Sequence, residues 1–317
     1  MPHPIEIRNL RKSYEGRAAV DNLSFDLRAG TLLGLLGHNG AGKTTTIRIA
    51  LGMIRSDGGT VSILGGPITR DTRDRIGYLP EERGLYPKMP VIDFLFFIGM
   101  LRGCERSAIR PRAANWLERF DLADRHKSPI QELSKGNQQK VQFIATLLHD
   151  PDILILDEPF SGLDPVNRHL FEEIVLEKRR EGKAIIFSTH VLEQAERLLD
   201  EVIMLRKGVA VVQGKLSEVR ASYGGSKLDI AGEGVEGALR GYPGVEPGRQ
   251  PREGVWRFRI DDRSRAQEVL AHLVRSGARV EGFTLAEPSL NDIFLERVGG
   301  IDRGLVESGF IPEEAGA

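Results

Sequence analysis

A single cysteine, Cys104, among 317 residues leaves no intrachain disulfide, which fits a reducing cytosol. Long apolar runs are missing as well. A bilayer span takes about 20 mostly apolar residues, and the longest candidate, Val91 to Leu101, is too short and carries Asp93. The opening stretch, residues 1–12, is charged and lacks the apolar segment of a secretion signal. Nor is there an excess of charge of one sign: 44 Lys plus Arg against 45 Asp plus Glu leaves a formal charge of -1. That balance argues against a globally basic nucleic-acid binder, while leaving room for a local basic patch. No internal repeat or low-complexity tract stands out. With 40% hydrophobic and 28% charged residues the chain can build a core, and a soluble, intracellular protein is expected.

Glycine, by contrast, is abundant, at 36 residues, and in the first part of the chain it separates short apolar runs, as in Leu32 to Gly37 and Gly58 to Gly66. Such spacing predicts strands and tight turns. Ile153 to Leu156, Ala184 to Ser188 and Val202 to Leu205 are short and fully apolar or nearly so, with charged helical stretches between them. Strands of this kind imply a sheet buried on both faces, hence an α/β domain. From about 90 to 150 the texture changes. Ile109, Ala113, Trp116, Leu117 and Phe120 recur at helical spacing, and Val91 to Leu101 is long for a strand, so a helical insert is expected there. A boundary falls near Ala221 to Ser226. Beyond it, strands are expected at Lys227 to Ile230, Val255 to Ile260 and Arg279 to Leu285. Helices are expected around Ala266 to Val274 and from Ser289 to Val298. The expected organisation is an α/β domain over 1–221 with a helical subdomain at about 90–150. A small α+β domain over 222–300 follows, with a ferredoxin-like split βαβ as its candidate form. Residues 301–317 read as a loose tail.

Gly37-His38-Asn39-Gly40-Ala41-Gly42-Lys43-Thr44 matches the phosphate-loop (P-loop) pattern, with an apolar strand before it and a helix after it, from Thr45 to Leu51. Glycines let the backbone curl so that its N–H groups face phosphate oxygens, and the helix that follows presents its positive end. Lys43 would bridge the β- and γ-phosphates of ATP, and Thr44 would ligate Mg2+. The run Ile153 to Leu156 ends in Asp157 and Glu158. Asp157 would hold the magnesium through water, and Glu158 would polarise the attacking water as general base. Either carboxylate alone is more often a cap or a salt-bridge partner; downstream of a phosphate loop the paired reading is preferred.

Between these motifs stands Leu133-Ser134-Lys135-Gly136-Asn137, and with it the sequence resembles the ATP-binding cassette (ABC) family, the nucleotide-binding subunits of ABC transporters. Leu133, Ser134 and Gly136 match the family signature, while Lys135 and Asn137 depart from it. Asn137 keeps a short amide; Lys135 would add charge near the nucleotide or point to solvent. As a sequence read by itself, this stretch is a helix start capped by Ser134. The resemblance adds that its N-terminus is aimed at phosphate. It also implies that Tyr14 stacks on adenine, that Gly37 to Thr45 cradle the phosphates, that Ser161 to Asp164 form the loop linking two sites, and that His190 contacts the γ-phosphate. Glu81 stands where the family commonly has glutamine, and three readings are open: an outer-shell group of the metal, which is preferred, a weakened relay, or a surface residue. Tyr78 to Pro87 and Ser289 to Leu295 narrow the resemblance to the ATPase subunits of ABC-2-type exporters with an extra C-terminal domain, a group that includes sodium-export-like systems.

In that family each ATP lies between the phosphate loop of one cassette and the signature of another. One loop and one signature per chain therefore imply head-to-tail pairing with a second cassette, most simply a homodimer. A separate polytopic membrane permease is implied as well, with the helical insert and the stretch near Glu81 to Lys88 as its docking surface, and no nucleic-acid partner. The expected activity is ATP hydrolysis driving export from the inner face of the cell membrane. The alternative is a soluble ABC ATPase acting on ribosomes or nucleic acid; a third reading makes the C-terminal domain a ligand sensor.

Overall fold

The structure, a computed structural model, describes residues 3–82, 84–222, 226–247, 250, 254–260, 262–286 and 289–299; the expected tail at 301–317 lies outside them. The chain divides after Gly214 into two compact units.

In the first unit a six-stranded sheet takes the order β5 (Ile76–Leu79), β6 (Ile153–Asp157), β7 (Ala184–Thr189), β3 (Leu32–Leu36), β8 (Glu201–Arg206) and β9 (Val209–Lys215). The neighbours from β5 through β8 pair in parallel. Every residue of β3, β6 and β7 is buried, as expected for central strands covered on both faces. A second, antiparallel sheet is formed by β2 (Arg17–Leu27), β1 (Ile5–Tyr14) and β4 (Gly58–Ile63). Helix α1 (Lys43–Ala50) follows β3 directly, and the short α2 (Arg70–Asp74) precedes β5. The insert consists of α3 (Val91–Leu101), α4 (Arg106–Arg119) and α5 (Lys135–Leu147). Of the expected face, Ile109, Ala113 and Leu117 of α4 and Phe120 just beyond it are buried, while Trp116 is partly exposed. After β6 come α6 (Pro165–Arg180) and, beyond β7, α7 (Leu192–Ala195).

An aromatic cluster joins the insert to α6. Phe143 of α5 stacks on Phe171 of α6 with ring centroids 4.3 Å apart, and Phe120 meets both edge-on, at 6.0 and 5.6 Å. All three are fully buried. Removing a buried Phe loses both its transfer energy and its contacts. Phe171→Ala should therefore destabilise this unit by about 3–5 kcal/mol. Thermal unfolding checks this; a midpoint lowered by roughly 10 °C is expected for a unit of this size.

The second unit contains α8 (Leu216–Ser222), β10 (Ser226–Glu233), α9 (Val235–Leu239), β11 (Val245–Pro247), β12 (Val255–Ile260), α10 (Ala266–Arg275), β13 (Arg279–Ala286) and α11 (Leu290–Gly299). Its sheet runs β11-β12-β10-β13 with every pair antiparallel. A βαββαβ chain in that strand order is the split βαβ of ferredoxin-like folds. Leu228, Ile230, Phe258, Ile260, Val269 and Leu273 form the centre of its core. Among the described residues no helix is long and apolar enough to cross a membrane.

Candidate functional site

The glycine loop between β3 and α1 adopts a backbone that side chains resist. Gly37 has φ 146° and Gly42 φ 109°. A Cβ on Gly37 would come within 2.4 Å of the Leu205 carbonyl oxygen, and one on Gly42 within 2.3 Å of that of Ala19. Any larger residue at either position would have to displace a neighbouring strand, so the curl depends on glycine. Lys43 opens α1 and is buried. Its Nζ donates to the Gly37 carbonyl at 2.5 Å and to that of His38 at 3.3 Å, so the ammonium is folded back on its own loop.

The loop forms one wall of a cavity of about 300 Å³. Of the residues expected to bind ATP, His38, Asn39, Gly40, Gly42, Lys43, Thr44 and Thr45 line it, while Gly37 and Ala41 shape the loop behind. Tyr14, Ala19, Glu81 and Glu158 complete the lining, so segments remote in sequence meet here. Tyr14 closes β1 with its ring half-exposed, and Lys12 Nζ lies 5.4 Å from the ring centroid. His38 is held below the usual imidazole range by burial and by the nearby Lys43 and His190.

Both carboxylates at the end of β6 are buried. Asp157 pairs in register with Ser188 of β7, whose hydroxyl donates to Asp157 Oδ1. Burial pushes the Asp157 carboxyl up, against the opposing pull of Ser188 and Thr44. Its second oxygen, Oδ2, is buried without a hydrogen-bond partner. An orphaned carboxylate oxygen near a threonine hydroxyl and a phosphate cradle fits Mg2+, which takes few protein ligands and shares the rest of its shell with water and substrate phosphates. Among the described residues no group of three or more His, Cys, Asp or Glu gathers to hold a metal.

Glu158 has φ 49°, a left-handed conformation uncommon outside glycine. That turn, held by Glu158 N–H donating to the Ser188 carbonyl at 3.1 Å, aims the side chain over the loop. Glu158 Oε1 accepts from His190 Nδ1 at 2.8 Å and stands 3.6 Å from Lys43 Nζ. His190, expected at the γ-phosphate, here contacts the carboxylate expected to act as base. A buried acid, a cation and an imidazole thus converge at the phosphate loop.

The signature residues stand apart. Ser134 caps α5, accepting from the Asn137 N–H at 3.3 Å, as its residue type predicts. Lys135 is exposed. A Cβ on Gly136 would meet nothing within 4 Å. Ser134, Gly136 and Asn137 do not line the cavity. Asp164 of the expected linking loop caps α6, accepting from the Asn167 N–H at 3.0 Å. Two supporting residues escape sequence reasoning. Ser188 donates to the Asp157 carboxylate and its hydroxyl accepts from the Glu158 N–H, and only its register neighbour across the sheet reveals it. Buried Gln139 donates to the carbonyl of Pro159, the residue after Glu158, at 3.2 Å, tying the signature helix to the acid turn.

Residues 20–161 match the ABC transporter family, and residues 214–298 match the C-terminal domain of DrrA1-3-like ATP-binding proteins. The chain is 43% identical to the uncharacterized ABC transporter ATP-binding protein YhaQ of Bacillus subtilis, over 94% of this chain and 99% of that protein. It is 31% identical to the daunorubicin/doxorubicin resistance ATP-binding protein DrrA of Streptomyces peucetius, over 93% of this chain and 92% of the relative. Among solved structures, an ATP-binding subunit of an ABC transporter aligns with a TM-score of 0.66 at 32% identity, covering 69% of this chain and 92% of that one.

Proposed function

Because this chain belongs to the ATP-binding subunits of ABC transporters, an ATPase family, we propose that it is the motor of an exporter, working as a head-to-tail pair beneath a separate membrane subunit. The observation that carries the reading is the meeting of Lys43, Glu158 and His190 over a cavity bounded by the phosphate loop.

In this reading Tyr14 takes the adenine ring on its face, and the loop N–H groups with the start of α1 hold the phosphates. Lys43 turns from its own carbonyls to the β- and γ-phosphates. Asp157 and Thr44 would hold magnesium, with Glu81 in reach of its water shell, and the bound cation would offset the phosphate charge. Glu158 accepts a proton from water as the water oxygen bonds to the γ-phosphorus. The bond from that phosphorus to the β–γ bridging oxygen breaks, leaving ADP and phosphate. His190 keeps the Glu158 carboxylate oriented through the 2.8 Å contact.

Ser134, Gly136 and Asn137, away from their own chain's cavity, are free to meet the nucleotide of a second cassette. A homodimer satisfies this with two equivalent sites, closed by ATP and reopened by hydrolysis. Export is supported by the relative named for drug resistance and by the match of the second unit to the DrrA-like C-terminal domain. The relatives above are named as transporter or drug-resistance ATP-binding proteins, which favours this reading over ribosome- or nucleic-acid-directed action. With a permease supplying the path, the chain would sit peripherally on the inner face of the membrane.

Gentle solubilisation of native membranes, purification of this chain and mass spectrometry of what accompanies it test the proposal. A stoichiometric polytopic membrane protein is expected. Recovery only in the soluble fraction, with ribosomal or DNA-bound partners, would overturn the transport reading and leave the ATPase chemistry standing.

A further inference from the structure

Gln142, Thr146 and His149 lie four and three residues apart, on one face of α5 and its continuation. That face meets β5, an edge strand whose one sheet neighbour is β6. Edge carbonyls need partners from outside the sheet, and this helix face provides them in order. His149 Nε2 donates to Ile76 O at 3.2 Å and Thr146 Oγ1 to Tyr78 O at 3.3 Å. Gln142 Nε2 donates to both Pro80 O, at 3.4 Å, and Glu82 O, at 3.3 Å. Helix and strand run in opposite directions. Seven residues of helix rise about 10 Å and four of strand about 13 Å, so the rungs stay matched. The backbones touch at Gly77, where a Cβ would lie 2.6 Å from Thr146 O. Because a carbonyl accepts, His149 carries its proton on Nε2. Burial lowers its pKa to about 4, so this rung is neutral at pH 7.

The Gln142 rung differs from the other two. Ile76 and Tyr78 belong to a strand that β6 also holds, whereas Pro80 and Glu82 lie beyond it. Two facing carbonyls dictate that the amide nitrogen points toward them. Oε1 is consequently buried without a hydrogen-bond partner. His149 Nδ1 is buried without a partner as well, so what sets the Gln142 rung apart is that it holds backbone that β6 does not. Between the two clamped carbonyls is Glu81, which lines the nucleotide cavity. About 12 Å back along the same helix is Ser134 of the signature.

We propose that Gln142 is a positioning residue. By clamping the backbone on both sides of Glu81 to the signature helix, it makes the stance of Glu81 at one nucleotide follow the engagement of Ser134 with the other. The inference rests on the reading of Glu81 and of head-to-tail pairing given above. Thr146 and His149 anchor the strand and do not hold the Glu81 loop.

The test is steady-state ATPase kinetics of the full-length protein with magnesium titrated, on Gln142→Met, Thr146→Val, Glu81→Ala and the Gln142→Met/Glu81→Ala double variant. Gln142→Met preserves volume and removes the donor. It is expected to lower kcat roughly fivefold and raise the magnesium needed for half-maximal rate, with KM for ATP changed by less than about twofold. Thr146→Val should lower the unfolding temperature and leave kcat unchanged. On the Glu81→Ala background, Gln142→Met should have no further effect on rate. A loss that persists in full on that background, or an equal loss in Thr146→Val, would overturn the clamp alone. Glu81→Ala with wild-type kcat and magnesium dependence would overturn the clamp together with the reading of Glu81. Gln142→Asn, too short to span both carbonyls, gives the same test if the Met variant folds poorly.

Discussion

Replacing Glu158 by Gln should cut ATP turnover by about 10²–10⁴-fold while ATP binding persists. The exchange is close to isosteric. A glutamine Oε1 still accepts from His190 Nδ1 across the present 2.8 Å, and the left-handed backbone at this position burdens Gln no more than Glu. What disappears is the ability to take a proton from water. Binding contacts from the loop, Lys43 and Tyr14 are untouched. Since hydrolysis is what would reopen the pair, the variant should also accumulate as an ATP-bound dimer. Single-turnover hydrolysis and size-exclusion chromatography with ATP check the two halves, and near-normal turnover would refute Glu158 as the base.

Lys43→Ala should act on the other side of the cycle, lowering ATP affinity about 100-fold. Among the described residues Lys43 is the one lysine lining the cavity. Charge-assisted contacts to two phosphates together contribute on the order of 3 kcal/mol, and each 1.4 kcal/mol is tenfold in affinity. Removal also leaves buried Glu158 without the cation 3.6 Å away, with the His190 imidazole as its remaining contact. Calorimetric titration with ATP measures the loss; unaltered affinity and turnover would defeat the assigned role. The two variants separate binding from chemistry: one keeps ATP and does not split it, the other fails to hold it.

Much of this was legible along the chain. β3, β6 and β7 announce themselves because strands buried on both faces are continuously apolar, and α3 spans Val91–Leu101 as its length and composition predict. The phosphate loop is legible because its chemistry is local: contiguous backbone N–H groups, glycines for the curl, and a helix start behind. Serine capping of α5 is local in the same way. In the second unit β10, β12, β13, α10 and α11 are legible too, whereas α9 and β11, which complete its βαββαβ succession, were not among the expected elements.

Other features depend on segments that the chain separates and the sheet rejoins. Ser188 touches Asp157 across 31 positions because β6 and β7 pair in register. Gln142 reaches Pro80 across 62 because α5 packs on the edge strand. Read in line, Gln142, Thr146 and His149 are an ordinary polar stripe, and nothing nearby in sequence says that their partners are carbonyls of β5. The amino-acid sequence by itself determined the buried central strands, the Ser134 cap and the phosphate loop, whose physics is complete within a few neighbouring residues. Only the tertiary structure decided that Asp157 keeps an unpartnered oxygen, that His190 rests on Glu158 and that one helix carries both the signature and the clamp on Glu81. Those arrangements arise from parallel crossovers that bring remote backbones within hydrogen-bonding distance.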